Sequence, residues 1–326
     1  MHGVSSLSLS RCSRRVGSCL LTAVVLLPAT APAQDYPARP IRMVTSAAGG
    51  AGDFVARMIG QSIAGSLGQP ILVDNRGALP GIEAVQHARP DGYTLLVASN
   101  LFWLLPLLQK VAFDPLHHFT PVALTVTSPN VIVSHPSLPV KSVRELVAFA
   151  HARPGELNFA GGSTGSASHL AGEMFKLLAK VDMVYVPYKG AGPALNDTIA
   201  GHVHVLFSNL AASGPHLKAG RLRALAITSA QPSALAPELP TVASAGLPGY
   251  ESEAIYGVFG PAGLALPIVQ RVNEEVTRAL QRPDVRDRFM ATGSQVVAGS
   301  GSELGARVAS ETKRMGRVIA QAGIRL

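Results

Sequence analysis

The sequence predicts an α/β fold of two domains, and three observations carry that prediction. Short apolar runs that read as strands alternate with amphipathic helical patterns along most of the chain. Three of these strand–helix pairs join through glycine-rich loops. A chain of 326 residues, shortened by a leader, also suits two domains of ordinary size.

The leader comes first. Arg11, Arg14 and Arg15 precede an apolar run, Leu20 to Leu27, that is too short to span a bilayer, and Ala31-Pro32-Ala33 supplies small residues for cleavage. Residues 1–33 therefore read as a signal peptide cut after Ala33, and Ser13-Arg14-Arg15 is compatible with either general or twin-arginine export. Both cysteines, Cys12 and Cys19, lie in this segment. The exported chain then has no disulfide, thiol nucleophile or cysteine metal site. Its formal charge of +8 falls by three with the leader's arginines. The remaining Lys and Arg are scattered, which argues against nucleic acid and for a modest field favouring small anions.

The first unit runs from a strand (Pro40 to Ser46) through Ala47, Ala48, Gly49, Gly50, Ala51, Gly52 and Asp53 into a helix. Val55, Met58, Ile59, Ile63 and Leu67 share one helix face, and Gly68 marks its end. A strand from Ile71 to Asp74 follows. Gly50, Gly52 and Asp74 imitate a dinucleotide fingerprint, but Val55 occupies the third glycine position, so no nucleotide cofactor is expected. Tyr93 to Ala98 reads as a buried strand ending at Ser99-Asn100. Small polar residues at that end can touch a ligand or simply turn the chain. Phe102 and Trp103 follow as core, or as an aromatic wall.

Val122 to Val126 and Asn130 to Ser134 read as two strands, the second entering a new domain. Ser142 and Glu145 form a capping box opening a helix. The second unit is Leu157 to Lys180: a short strand, then Gly161, Gly162, Ser163, Thr164, Gly165, Ser166 and Ser168, then a helical pattern through His169 with Leu170, Met174, Leu177 and Leu178 on one face. A helix start presents unpaired N–H groups and the positive end of its dipole, and glycines let an anion approach. The same residues fit the G-x-S-x-G pattern of a hydrolase nucleophile elbow, with Ser163 as nucleophile and His216 or His202 with Asp197 as partners. The third unit is a strand (Met183 to Pro187), then Lys189-Gly190, then a helix with Pro193 at its first position. Lys189 either meets an anion or is solvated. His202 and His204 are placed on a strand, where alternate residues share a face, but no third ligand stands near, so no metal is expected. That strand ends in Ser208-Asn209. Tyr256 to Phe259 is a returning strand, Pro267 starts a helix, and the last helix begins near Ser302.

With these motifs in place, the chain resembles the Bug, or tripartite tricarboxylate receptor, family of periplasmic solute-binding proteins. The resemblance is carried by Tyr36-Pro37-x-Arg39-Pro40-Ile41-Arg42, Gly49-Gly50-x-x-Asp53-x-x-Ala56-Arg57 and Leu67-Gly68-Gln69-Pro70. It continues through Pro90-Asp91-Gly92-Tyr93, His169-Leu170-Ala171-Gly172-Glu173, Val186-Pro187-Tyr188-Lys189-Gly190 and Pro240-Thr241-Val242. It implies the two-lobed type II periplasmic binding fold, with two α/β domains joined by strand crossovers near residues 131–136 and 254–259. Domain 1 would hold residues 34–133 and 257–326, and domain 2 residues 134–256. The resemblance further implies a monomeric receptor, without cofactor or catalysis, that binds a small organic carboxylate. Loops 46–53 and 161–168 would hold it, flanked by Ser99, Asn100, Lys189, Gly190, Ser208 and Asn209, for presentation to a membrane permease or a sensor protein. The chain departs from the family pattern at Ser46-Ala47-Ala48, where prolines are usual, and at Leu101-Phe102-Trp103, where small residues are usual. Both departures lie where a ligand would be read.

Overall fold

The computed structural model describes residues 36–326, so the signal-peptide expectation lies outside the described residues. Strand β1 (Ile41–Thr45) is buried except at Arg42. It leads into helix α1 (Ala51–Leu67), whose buried face holds Val55, Met58, Ile59, Ile63 and Leu67. Gly68 ends the helix with φ 67°, a left-handed conformation that costs glycine little. Strand β2 (Ile71–Asn75) pairs parallel to one edge of β1. Helix α2 (Ala78–Gln86) then leads to β3 (Thr94–Ser99), which pairs parallel to the other edge. Helix α3 (Leu101–Leu108) follows, with Phe102, Trp103, Leu104 and Leu105 buried.

Strand β4 (Phe119–Ser134) is one strand of 16 residues rather than the two expected. The gap between the two expected strands contains Ser128-Pro129, and proline has no N–H to give a ladder. Here it lies where the partner strand changes, so the backbone continues extended without that donor. Beyond it come α4 (Val143–Ala152), β5 (Asn158–Ala160), α5 (Ala167–Ala179), β6 (Val184–Val186) and α6 (Ala191–Ile199). Then follow β7 (Val205–Asn209), α7 (Leu210–Lys218), β8 (Arg223–Ile227) and β9 (Glu253–Pro261). The chain closes with α8 (Leu266–Gln281), α9 (Pro283–Ala291), β10 (Gln295–Ser300) and α10 (Gly301–Ala322).

The first half of β4 pairs antiparallel with β9 up to Pro129–Glu253, extending the sheet β2-β1-β3-β9, and with β10 on its other edge. From Asn130 onward it pairs with β7, followed by β5 and β6, and with β8 on its other side. Both sheets are thus hydrogen-bonded to one continuous strand.

Four local expectations need correction, and the first is Leu178, which is exposed rather than part of the buried face of α5. Ser142 caps α4, but Glu145 reaches back to the Lys141 N–H rather than to Ser142, so the box is not reciprocal. The reciprocal box is at Ser300 and Glu303, starting α10. Pro193 is the third residue of α6, still inside the first turn where helix N–H groups have no partner to lose. His202 and His204 precede β7 instead of lying on it, because Gly201 turns the chain there with φ 80°. His204 and Asn158 exchange hydrogen bonds at 2.8 and 3.1 Å, and His202 lies 3.6 Å from Asp197 at the exposed surface.

Candidate functional site

The loop from β1 to α1 leaves Ser46 through Ala51 exposed at the carboxyl end of the parallel strands. Its close geometry depends on Gly52. A Cβ there would lie 2.8 Å from Ser46 Oγ and 3.0 Å from Thr45 Oγ1, so a larger residue would have to displace the Ser46 hydroxyl and crowd the Thr45 hydroxyl, which donates to the Val97 carbonyl. Asp53 ties the loop from inside: it accepts from the Gly49 N–H at 2.9 Å and the Asn75 amide at 2.9 Å, and pairs with Arg57 at 2.8 Å. These contacts, led by the Gly49 N–H, lower its carboxyl from 3.8 to about 2. Asn75 also donates to the Ser46 carbonyl at 2.9 Å. Asp53 therefore shapes the loop rather than facing a ligand. The amides of Ala51, Gly52 and Asp53 have no protein acceptor among the described residues, and Gly50 supplies no side-chain cap.

That inward role has a pH signature. A carboxyl with a depressed folded pKa stabilises the fold above its unfolded value and loses the contribution as pH falls. Asp53→Asn should remove about 1–2 kcal/mol of stability at neutral pH, a figure reduced from the full shift because Arg57 is half exposed. The difference from wild type should shrink between about pH 5 and pH 2, which urea titrations across that window would check.

Two cavities open beside this helix start and share Ala51 and Tyr256 as walls. One, of about 220 Å³, is mainly apolar and runs beneath Ser99 toward Ile82, Leu96, Phe102 and Leu105. The other, of about 470 Å³, lies over the point where β4 changes sheets. Its far wall carries Ser128, Asn130, Asn209, Thr292 and Ser294. Tyr256 is 8% exposed, and its hydroxyl makes no hydrogen bond to protein among the described residues. Burial pushes that phenol up to about 12, so it stays a proton donor at neutral pH.

The expected residues divide unevenly around these cavities. Residues 46, 49–51 and 99 line one or the other. Asn209 reaches the larger cavity, but its amide is engaged at both ends: Oδ1 accepts from the Ala211 N–H, capping α7, and Nδ2 donates to Ser128 Oγ. Ser208 is buried, with its hydroxyl donating to the Asn209 carbonyl. Asn100, expected as a ligand donor, points into the core. Its amide donates to Glu311 at 2.9 Å and to the Glu253 carbonyl at 3.2 Å. Trp103 is likewise core, 1% exposed, with its indole N–H on the other oxygen of Glu311 at 2.8 Å.

The second glycine loop is held together by its own side chains. Ser168 Oγ accepts from the Gly162 N–H, Ser166 caps α5 by accepting from His169 N–H, and His169 Nδ1 accepts from the Gly165 N–H. The His169 ring stacks on Tyr185 at 3.8 Å, and burial first, then Lys176, lowers its pKa to about 4. It is therefore neutral and fixed. Gly161 and Gly165 are buried, and Gly165 packs against Leu108 and Leu326. Ser163 and Thr164 remain exposed, with hydroxyls that make no hydrogen bond among the described residues, and Lys189, beside the α6 cap Gly190, is exposed too. None of residues 161–168 stands in the walls of the two cavities at α1, so the two loops do not face one another across either.

Sequence reasoning missed Tyr256 and Asn130. Both were read as strand residues, and nothing local marks the face of a strand that a later segment leaves open.

The model of the tripartite tricarboxylate transporter family receptor matches residues 55–324. The chain belongs to that family. This receptor is 34% identical to protein BugT of Bordetella pertussis over 98% of its own length and 100% of BugT. A Rhodopseudomonas palustris protein solved with adipate is 35% identical, with TM-score 0.73, covering 89% of this chain and 99% of that one. MatC from the same organism, solved with bound malate, is 33% identical, with TM-score 0.70, covering 87% and 100%. The fold is thus the two-lobed α/β fold of periplasmic solute-binding receptors. The family and these neighbours are receptors rather than enzymes, which settles the G-x-S-x-G pattern against a hydrolase. No described helix is long and apolar enough to cross a membrane.

Proposed function

We propose that this receptor captures a small organic carboxylate at the start of α1, closes its lobes over it, and presents it to a membrane permease of the tripartite tricarboxylate type. One observation carries the reading. The Ala51, Gly52 and Asp53 amides lack protein acceptors among the described residues, and Ala51 and Gly52 line cavities whose walls also include Tyr256, with its unpartnered hydroxyl. Oriented N–H groups at a helix start favour an anion, and charge-assisted bonds from a buried phenol add to them. Relatives solved with adipate and malate support the ligand class.

The lobes in this reading are residues 36–129 with 253–326, and residues 130–252, divided where β4 changes partners. That division falls a few residues ahead of the one read from sequence. Closure about the crossing would bring Ser163 and Thr164 toward the helix start as further donors. The chain would work in the periplasm after cleavage behind Ala33.

Thermal-shift screening against mono-, di- and tricarboxylates tests the proposal. A true ligand at a hundredfold its Kd adds about 2.7 kcal/mol of stability, enough to raise the melting temperature visibly. Tyr256→Phe should keep the ligand-free melting temperature and weaken the stabilising acid about tenfold or more, the value of a hydrogen bond to a charged group. If no carboxylate stabilises the wild type, the proposal fails.

A further inference from the structure

The exposed tip of the second glycine loop is braced by a buried histidine. The Ser166 N–H donates to the Ser163 carbonyl at 3.0 Å, closing a β-turn whose third residue, Gly165, has φ 78°. The Gly165 N–H turns inward to His169 Nδ1 at 3.0 Å, and the Gly162 N–H to Ser168 Oγ at 2.8 Å. The amides of Ser163 and Thr164 have no acceptor among the described residues, and both residues are exposed. The turn therefore offers two consecutive N–H groups and two hydroxyls outward, and spends its other amides on its own support.

His169 is 4% exposed, and its ring lies 3.8 Å from that of Tyr185, whose hydroxyl donates to the Gly162 carbonyl at 2.6 Å. One stacked pair thus fixes Gly162, which precedes the tip, and Gly165, which lies within it. Burial keeps the imidazole neutral, and Glu173, 3.9 Å from Nε2, is itself paired with Lys176 at 3.1 Å, so Nδ1 stays an acceptor. All of these bonds lie within residues 130–252 and travel with that lobe. The packing of Gly165 against Leu108 and Leu326 does not, because those residues belong to the other lobe and the proposed closure moves them relative to the loop. The brace from His169 and Tyr185 is what keeps the shape of the tip through that movement.

We infer that His169, together with Tyr185, is a positioning residue for ligand closure: it holds the Ser163–Thr164 tip in one shape, so that these donors meet the bound anion ready-ordered. This rests on the carboxylate reading above and adds what makes the second lobe competent to close. Donors fixed in advance by supporting residues lose little conformational freedom when they engage a ligand. His169 touches no ligand in this role. It sets how tightly the closed lobes hold an acid and leaves the ranking of acids unchanged.

Calorimetric titration with acetate, malate, adipate and citrate, beside amide hydrogen exchange of the ligand-free protein, tests the inference. His169→Phe keeps a ring against Tyr185 but removes the acceptor. Its Gly165 amide should lose protection, and its affinity for every acid that wild type binds should fall by about tenfold or more. His169→Asn puts an acceptor oxygen near the place of Nδ1 and should recover most of both. Tyr185→Phe, which lacks only the hydroxyl, should weaken binding by a smaller factor, and it carries the comparison if His169→Phe does not fold. Wild-type affinity in His169→Phe despite an unprotected Gly165 amide would overturn the positioning role and leave carboxylate capture intact. Equal losses in His169→Phe and His169→Asn would overturn it too, since the acceptor would then be irrelevant. Binding of none of the acids by wild type would overturn both readings.

Discussion

Ala51→Asp is expected to strengthen the fold slightly and to abolish ligand capture. Ala51 is the first residue of α1 and is exposed, so a carboxylate there meets no steric obstacle. It would sit beside amides that have no other acceptor and at the positive end of the dipole, a placement worth about 0.3–1 kcal/mol. The same position is where the proposed binding mode puts the ligand carboxylate. Two unit negative charges about 4 Å apart at an effective dielectric near 20 repel by about 4 kcal/mol, so affinity should fall by roughly two to three orders of magnitude. Ala51→Asn, equal in size and neutral, should lose far less. The pairing of a raised melting temperature with lost binding separates occupation of the site from damage to it. Unchanged carboxylate affinity in Ala51→Asp would place the ligand elsewhere. Asp53, two residues on, does not already impose this penalty because its carboxylate turns back to Gly49, Asn75 and Arg57.

The largest expected loss of stability is at Glu311, far from the helix start. This carboxyl is 3% exposed, and burial raises its pKa, opposed by the hydrogen bonds from Asn100 and Trp103. Glu311→Ala would orphan one N–H of the Asn100 amide, whose other donates to the Glu253 carbonyl, and the buried indole N–H, each about 1–3 kcal/mol, and leave a cavity besides. A loss of about 3–5 kcal/mol follows, a large part of what a domain of ordinary stability possesses. Glu311→Gln keeps the volume and one acceptor oxygen and should cost less. Trp103 is the only tryptophan in the chain, so its fluorescence reports the urea midpoint directly. An unfolding free energy within about 1 kcal/mol of wild type in Glu311→Ala would mean that the buried triad contributes little.

The parts of this architecture that are local were legible in the sequence. The β1–α1–β2 unit could be read from an apolar run, a glycine loop, one-sided helical spacing and Gly68, since each signal lies within a few residues of the structure it specifies. What failed depends on distant partners. Asn100 looks like a ligand donor at a strand end because Glu311, its acceptor, is 211 residues away. Reading two strands with a gap at residues 127–129 ignores that β9 and β7 pair with β4 on either side of that point and keep the backbone extended. The same is true of the site. Gly49 to Asp53 announce a helix start anywhere, whereas Asn130 and Tyr256 acquire a cavity only when β4 is flanked by Asn209 and when Tyr256 is paired beside Ser99. Strand β10 escaped notice because Ala298, at φ 55°, interrupts its register with β4 and breaks the alternation that marks a strand.

Strand β4 has a mechanical consequence. A flexible tether between lobes would let them twist and slide in several directions. A paired strand resists twisting and stretching, and yields most readily by bending across its own plane. The closure proposed above is therefore expected to approach a single rotation about an axis near Pro129 and Asn130, where β4 changes partners. The two halves also cannot be inherited separately as intact modules, since cutting the chain at that axis strips each sheet of a member and leaves two raw edges.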